Sequence, residues 1–158
     1  MAGFREFSGN ADAHDLQIAI VAARFNEVIV DKLLAGATET LVRMGSESAN
    51  IRVIRVPGAW ELPLAAQAAA STGRIDAIIA LGAVIRGDTA HFDYICAECA
   101  AGLSRVALEY KLPVSFGVLT CDTAAQAEAR CGNDSENKGA EAAIAAVEMA
   151  QALRRLDL

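Results

Sequence analysis

The stretch that decides the fold is IDAIIALGAVI, residues 75–85, the most apolar run in the chain. It is short and rich in isoleucine, which is typical of a β-strand buried on both faces of a parallel sheet. Three further segments have a similar character and are also predicted as strands. They are LQIAIVAA at 16–23, IRVIRV at 51–56 and VSFGVLT at 114–120.

Segments with helical spacing of apolar residues separate these strands. Strands that alternate with helices predict a parallel four-stranded sheet with helices on both faces, a three-layer α/β/α sandwich in one domain, 1–158. Residues 1–15 are predicted as an N-terminal arm, in which Phe4–Gly9 forms an edge strand or reaches a neighbour. Gly45 is expected to end the first helix, and Thr123 to cap a short one that closes at 131–134. The predicted helices span 27–44, 60–71, 91–110, 123–130 and 136–155.

Composition narrows the function classes. A net charge of -6 and a pI near 4.9 argue against broad contact with nucleic acid or an anionic membrane. Mean hydropathy of +0.30 is high for a monomer of 158 residues, and no apolar run is long enough to span a bilayer. We therefore expect extensive burial between subunits.

The N-terminal stretch has no basic segment followed by an apolar one, so we expect a cytoplasmic protein. Its four cysteines would then be reduced and act as small core residues. Cys96 and Cys99 form a C-x-x-C motif, but it falls in the middle of a predicted helix without a second pair. Redox or metal chemistry is therefore disfavoured at this motif.

Candidate functional residues cluster where the predicted strands end. In an open α/β sheet, ligands bind beyond the carboxyl ends of the strands. Residues 24–26, 57–61, 86–91 and 120–122 occupy those positions. This placement brings Phe25, Trp60, Glu61 and His91 to one rim, although they are far apart in the chain.

The loop at 86–91 has the features of an anion site. Gly87 permits an unusual turn, and the N–H groups of Asp88 and Thr89 stand at a helix N-terminus, which favours phosphate. The helix dipole disfavours a positive charge on His91, so the neutral imidazole could act as a base. Alternatively, Asp88 or Thr89 only caps the helix and His91 is a surface residue.

Other rim residues also allow two interpretations. Phe25 and Trp60 could stack on a flat heterocycle, or they are ordinary core or rim aromatics. Arg130 and Lys138 could attract an anion, or they are solvated surface charges. His14 lies in a polar stretch and is interpreted as a bystander. Motifs typical of nucleoside triphosphate, dinucleotide and serine-hydrolase sites are missing from the sequence.

Five motifs follow one another along the chain: RFN at 24–26, VPGAWELP at 56–63, GAVIRGDTAHFDY at 82–94, PVSFGVLT at 113–120 and NKG at 137–139. Taken together, they resemble those of the lumazine synthase family. The resemblance runs from about residue 16 to the C-terminus and implies a flavodoxin-like fold. It also implies condensation of 5-amino-6-(D-ribitylamino)uracil with 3,4-dihydroxy-2-butanone 4-phosphate, without metal or organic cofactor.

The resemblance also implies roles for particular residues. His91 would shuttle protons, and the side chain of Asp88 is expected to point away from the phosphate that its N–H binds. In the family pattern, Phe25 would stack on the pyrimidine, and Ala83, Val84 and Ile85 would offer backbone groups to the ring. The ribityl chain would contact Ala59, Trp60 and Glu61. Asp88 and Thr89 would hold the phosphate with Arg130, and an adjacent subunit would supply Phe116, Arg130 and Lys138.

Assembly and two alternative functions stay open on the sequence. The resemblance implies a homo-oligomer built from pentamers, and the short connection at 132–139 favours a sixty-subunit icosahedral shell over a free pentamer. One alternative is an archaeal-type riboflavin synthase, which acts on the lumazine product. The other is a flavin or lumazine carrier that has kept the fold and lost the activity.

Overall fold

The computed structural model describes residues 3–133, 136–156 and 158. Four strands form one parallel sheet in the order β2-β1-β3-β4, the beginning of the flavodoxin-like order. The predicted three-layer α/β/α class and its four strands are confirmed. The strands are β1 (Ile18–Ala23), β2 (Ile51–Val56), β3 (Ala77–Ile85) and β4 (Val114–Cys121).

Helices cover the sheet on both faces. The first, fourth and fifth pack on one face, and the second and third pack together on the other. In the described part of the chain, no helix has the length and apolar character needed to cross a membrane. The helices are α1 (Glu27–Arg43), α2 (Leu62–Ser71), α3 (His91–Tyr110), α4 (Ala124–Glu128) and α5 (Lys138–Arg155).

Two central strands begin later than predicted because of one reciprocal pair of hydrogen bonds. The Gln17 N–H donates to the Asp76 carboxylate at 2.7 Å, and the Asp76 N–H donates to the Gln17 carbonyl at 2.8 Å. The Asp76 carboxylate therefore accepts the Gln17 N–H in place of a backbone carbonyl, and regular strand pairing starts at Ile18 and Ala77. Hydropathy does not reveal that a side chain replaces a backbone acceptor at this point.

The second helix also begins later than its predicted start at Trp60. Residues Ala59–Glu61 form a 3-10 turn, and the Leu62 N–H bonds to the Ala59 carbonyl. Proline at position 63 has no N–H, so it cannot make the α-helical bond to that carbonyl. The α-helix therefore starts only at Leu62, with Pro63 in its first turn.

Two predicted helix ends are confirmed. Gly45 has φ of +100°, and the Gly45 and Ser46 N–H groups bond to the Val42 and Leu41 carbonyls, which is the Schellman motif. Thr123 caps α4 through a reciprocal capping box with Gln126. The predicted closing residue Asp134 lies outside the described residues.

The last helix begins at Lys138, not at Glu136 as predicted, because Asn137 caps it. The Asn137 side chain is buried; its oxygen accepts the Ala140 N–H at 3.0 Å, and its amide donates to the Lys32 and Gly132 carbonyls at 3.0 and 2.9 Å. Gly139 lies against α1, and a Cβ there would be 2.0 Å from the Leu33 carbonyl oxygen. One side chain thus anchors α5 to α1 and to the preceding loop.

Burial is complete only in the centre of the sheet. Strand β1 is buried throughout, as is most of β3, whereas β2 and the first half of β4 have exposed or half-buried residues. Val53, Ile54 and Phe116 on these edge strands are 37–47% exposed. A single chain therefore leaves apolar side chains exposed on both edge strands.

The N-terminal arm forms no strand among its described residues. The Ser8 and Asp12 carbonyls accept bonds from Arg155 and Gln151 of α5, and Ala13 is buried beneath the end of α1. The alternative of an edge strand at Phe4–Gly9 is therefore wrong. Polar carbonyl contacts to α5, and not a β-ladder, hold this part of the chain.

We expect Asn137→Ala to lower the free energy of unfolding by about 2–3 kcal/mol, because two partly buried carbonyls and one helix N–H lose their hydrogen-bond partner. Equilibrium unfolding in urea measures this loss. Asn133→Ala, at an exposed site in the same loop, is the matched control. Equal unfolding midpoints for the two variants would contradict the anchoring role of Asn137.

Candidate functional site

A cleft of about 810 Å³ opens at the carboxyl ends of β1, β2 and β3. Its position is the one where ligands bind in open α/β sheets, and its volume suits an organic ligand of moderate size. Most of the surface is apolar. The lining residues are Phe25, Pro57, Gly58, Ala59, Trp60, Glu61, Ala83, Val84, Ile85, Gly87, Thr89, His91, Phe92, Tyr94 and Ile95.

The end of β1 places an exposed aromatic ring at the cleft. Phe25 is 71% exposed, and the next residue, Asn26, has the left-handed conformation with φ of 59°. The Asn26 side chain donates to the Ala83 carbonyl at 2.7 Å and so ties the end of β1 to the end of β3. This bond fixes the position of Phe25 relative to the segment Ala83–Ile85.

The end of β2 runs alongside the same segment of β1. The Arg24 N–H bonds to the Val56 carbonyl at 2.8 Å and the Phe25 N–H to the Pro57 carbonyl at 3.0 Å. The following 3-10 turn presents Trp60, which is 56% exposed. Neither Phe25 nor Trp60 belongs to the core, so the interpretation of both as core aromatics is wrong.

The loop at 86–91 forms the far wall of the cleft. Ala90 is the N-cap residue of α3, and the Thr89 hydroxyl accepts the N–H of the first helical residue, His91, at 3.3 Å. Neither Asp88 nor Thr89 is the N-cap residue, but Thr89 does bond to the helix N-terminus and His91 is exposed, as the alternative interpretation has it. Thr89 and His91 line the cleft, whereas Asp88 is exposed and does not.

Arg86 lies where β3 passes into this loop. Its guanidinium contacts Asp122 at 2.8 Å and Asp93 at 3.2 Å, and it lies 4.4 Å from the centre of the Phe92 ring. The hydrogen bond to Asp122 raises the pKa of the guanidinium above its already high value, so its charge is permanent. No role for this arginine was predicted from the sequence.

Besides Asp88, three predicted site residues do not line the cleft. Phe116 lies in the edge strand β4, and Arg130 and Lys138 lie together at the corner between α4 and α5, where the Lys138 N–H bonds to the Arg130 carbonyl at 2.9 Å. Arg130 donates to the Gln126 carbonyl and Lys138 pairs with Glu141. The chain therefore brings nine of the predicted residues together at the cleft and leaves these three away from it.

The cleft has little positive charge of its own. Its described lining includes Glu61 and His91 but no lysine or arginine. An anion bound here would meet backbone N–H groups, the Thr89 hydroxyl and an imidazole. The described lining thus offers an anion hydrogen-bond donors but no permanently charged side chain.

Three lining residues lie outside the segments predicted from the sequence to form the ligand edge. Phe92, Tyr94 and Ile95 follow His91 in the first turns of α3, and their spacing from it could have indicated them, because one helix face carries residues three and four apart. Three others, Pro57, Gly58 and Gly87, lie in the predicted loops after β2 and β3 but had no individual ligand contact predicted.

The C-x-x-C motif lies inside α3, as predicted. Cys99 is buried, and burial raises the pKa of its thiol to about 12. Burial also raises the pKa of the Cys96 thiol. Both thiols therefore stay protonated at neutral pH, a state that is poor for redox chemistry or metal ligation.

Comparison with known protein families identifies one match that covers nearly the whole chain. The family model described as 6,7-dimethyl-8-ribityllumazine synthase matches residues 15–154. The matched region contains all four strands, all but the last residue of α5 and every residue of the cleft.

The bond between Asn26 and Ala83 gives a test of the site's framework. We expect Asn26→Ala to lose about 2 kcal/mol of unfolding free energy, because alanine is strained at positive φ and the hydrogen bond is lost. Asn26→Gly removes the same bond but tolerates this φ, so it should lose about half as much. Urea unfolding of both variants measures the difference, and equal losses would show that backbone strain at this position contributes nothing.

Proposed function

The chain belongs to the 6,7-dimethyl-8-ribityllumazine synthase family, and we propose that the cleft beyond β1, β2 and β3 is its substrate site. The protein is a transferase of riboflavin biosynthesis. It condenses 5-amino-6-(D-ribitylamino)uracil with 3,4-dihydroxy-2-butanone 4-phosphate and releases phosphate and water. The observation that supports the site most directly is that nine of the predicted residues line this one cleft: Phe25, Ala59, Trp60, Glu61, Ala83, Val84, Ile85, Thr89 and His91.

The apolar side of the cleft suits the uracil substrate. The exposed ring of Phe25 can stack on the flat pyrimidine. The Ala83 carbonyl already accepts Asn26, so Val84 and Ile85 supply most of the backbone groups for the ring edge. Ala59, Trp60 and Glu61 lie next to this position, where a carboxylate can accept bonds from the ribityl hydroxyls.

The loop at 86–91 suits the phosphate of the second substrate. The Asp88 and Thr89 N–H groups lie just before the 20-residue helix α3, whose dipole favours an anion. Of these two residues, Thr89 lines the cleft and Asp88 does not, so the phosphate contact of the Asp88 N–H is a prediction from the family pattern. His91 follows at once and is placed to carry protons during imine formation and phosphate elimination.

The missing positive charge is proposed to come from an adjacent subunit. Phe116, Arg130 and Lys138 lie outside the cleft of their own chain, and β2 and β4 leave apolar edges exposed. We therefore assign these three residues to the neighbour's site in a homo-oligomer built from pentamers. Sedimentation of the native protein distinguishes a lone pentamer from the icosahedral shell that the short 132–139 connection favours.

We place the enzyme in the cytoplasm. All four cysteines are unpaired and three of them are buried, which agrees with a reducing compartment.

The activity itself is tested by absorbance. Supplying both lumazine precursors should produce the absorbance of 6,7-dimethyl-8-ribityllumazine, whereas lumazine alone should stay unchanged. Consumption of lumazine alone would instead identify a riboflavin synthase. Tight flavin binding without turnover would identify a carrier.

We expect His91→Ala to lower kcat by about 10- to 100-fold without abolishing turnover. This is the low end of what acid–base catalysis contributes, because the amine and ketone react readily once they are held together. Steady-state kinetics measures the change. His14→Ala is the control, since His14 is exposed in the N-terminal arm, and an unchanged kcat in the His91 variant would remove the proton-carrier role.

We expect Arg130→Ala to raise KM for the butanone phosphate by about 10- to 100-fold, with a smaller effect on kcat, since a charge-assisted hydrogen bond to phosphate is lost. Arg74→Ala, an exposed arginine after α2, is the control. An unchanged KM for the phosphate substrate would contradict the assignment.

A mixing experiment tests whether Arg130 acts on a neighbour's site. Joint refolding of His91→Ala and Arg130→Ala chains should recover activity above the mean of the two variants, because some sites combine an intact His91 with an intact Arg130. If both residues acted within one chain, no intact site would form and no recovery would appear.

A further inference from the structure

The loop at 87–90 is exposed and has little to hold it in place. Gly87 has no heavy atom within 4 Å of the position of a Cβ, and among the described residues the one side-chain hydrogen bond at the loop is from the His91 N–H to the Thr89 hydroxyl. The N-cap residue of α3, Ala90, has no side chain that could cap the helix. Backbone N–H groups bind an anion well only when they are fixed beforehand, so something outside the loop has to position it.

Arg86 contacts the structure on both sides of this loop. Its own N–H bonds to the Cys121 carbonyl, which attaches the start of the loop to the end of β4. Its guanidinium then reaches Asp122 beyond β4 and Asp93 in the first turn of α3. One side chain thus joins the residue before the loop, the neighbouring strand and the helix after the loop.

The Phe92 ring fixes the direction of the guanidinium. Phe92 is 9% exposed and packs at the start of α3, and the guanidinium carbon lies 4.4 Å from its ring centre. A planar guanidinium can stack on a ring and donate to two carboxylates at once, whereas an ammonium group has no plane to stack. The arrangement is therefore specific for arginine.

We propose that Arg86 is a positioning residue that holds the 87–90 loop, and with it the Asp88 and Thr89 N–H groups, in the geometry that binds the substrate phosphate. The inference rests on the proposed phosphate role of this loop. Arg86 acts through Asp122, Asp93 and Phe92. Its positive charge is already paired with the two carboxylates, so it is not assigned a direct contact with the phosphate.

A simple electrostatic effect makes a different prediction. If Arg86 only supplied positive charge near the phosphate, Arg86→Lys would behave as the wild type. Asp122→Asn would then bind the phosphate substrate more tightly, because a nearby negative charge is removed. A positioning role predicts that both variants bind the phosphate substrate more weakly than the wild type, since each one breaks the link across the loop.

The experiment measures KM for each substrate, kcat and melting temperature in Arg86→Lys, Arg86→Gln and Asp122→Asn. We expect KM for the butanone phosphate to rise about 10-fold in all three, with KM for the uracil substrate within about twofold of wild type. Arg154→Gln is the matched control. Its side chain is 44% exposed, as is that of Arg86, and it pairs with Asp76 at the opposite end of the sheet.

Three results would overturn the proposal. These are a wild-type KM in Arg86→Lys, a lower KM for the phosphate substrate in Asp122→Asn, and an equal rise of both KM values in Arg86→Gln. A fall in melting temperature with unchanged KM values, as expected of the control, would leave Arg86 with a structural role only and would also overturn it.

Calorimetric titration with inorganic phosphate separates this proposal from the proposed function, because it needs no turnover. We expect the variants to bind phosphate about 10-fold more weakly than wild type and Arg154→Gln. If wild type failed to condense the two substrates, the proposed function would fail, while equal phosphate binding in all proteins would refute the role of Arg86.

Discussion

Parallel pairing of four short strands is the constraint on which the rest of this structure depends. Because the strands point the same way, the segments after β1, β2 and β3 all emerge at one edge of the sheet. The chain must then cross back over the sheet through helices, and those helices begin at the same edge. The cleft therefore combines strand ends with the N-terminus of α3, and both belong to a place where ligands bind.

The chemistry of the cleft follows from what this edge contains and what it lacks. It has an exposed aromatic ring, backbone groups, a carboxylate and an imidazole, but its described lining has no lysine or arginine. Arg86, between the lining residues Ile85 and Gly87, is held by Asp93 and Asp122. The proposed source of positive charge for a phosphate substrate is therefore Arg130 and Lys138 of an adjacent subunit.

The two ends of the sheet differ in what holds them. At the amino end, Gln17 and Asp76 bond to each other and start two strands in register. At the carboxyl end, Asn26 bonds to the Ala83 carbonyl, and Arg86 bonds to the carboxylates of Asp93 and Asp122. Polar side chains thus contribute to stability at one end and arrange the site at the other.

The sequence by itself determined the class of the fold, the family and most of the cleft. Runs such as residues 75–85 are apolar because both faces of a central strand are buried, and this pattern can be read without coordinates. Residues directly after each strand could be placed at one edge for the same reason. Only the tertiary structure decided where β3 begins, that Phe25 and Trp60 are exposed, and that Asn26 and Arg86 hold the segments around the cleft. These features depend on hydrogen bonds and contacts between residues that are distant in the chain, and local hydropathy carries no record of such pairs.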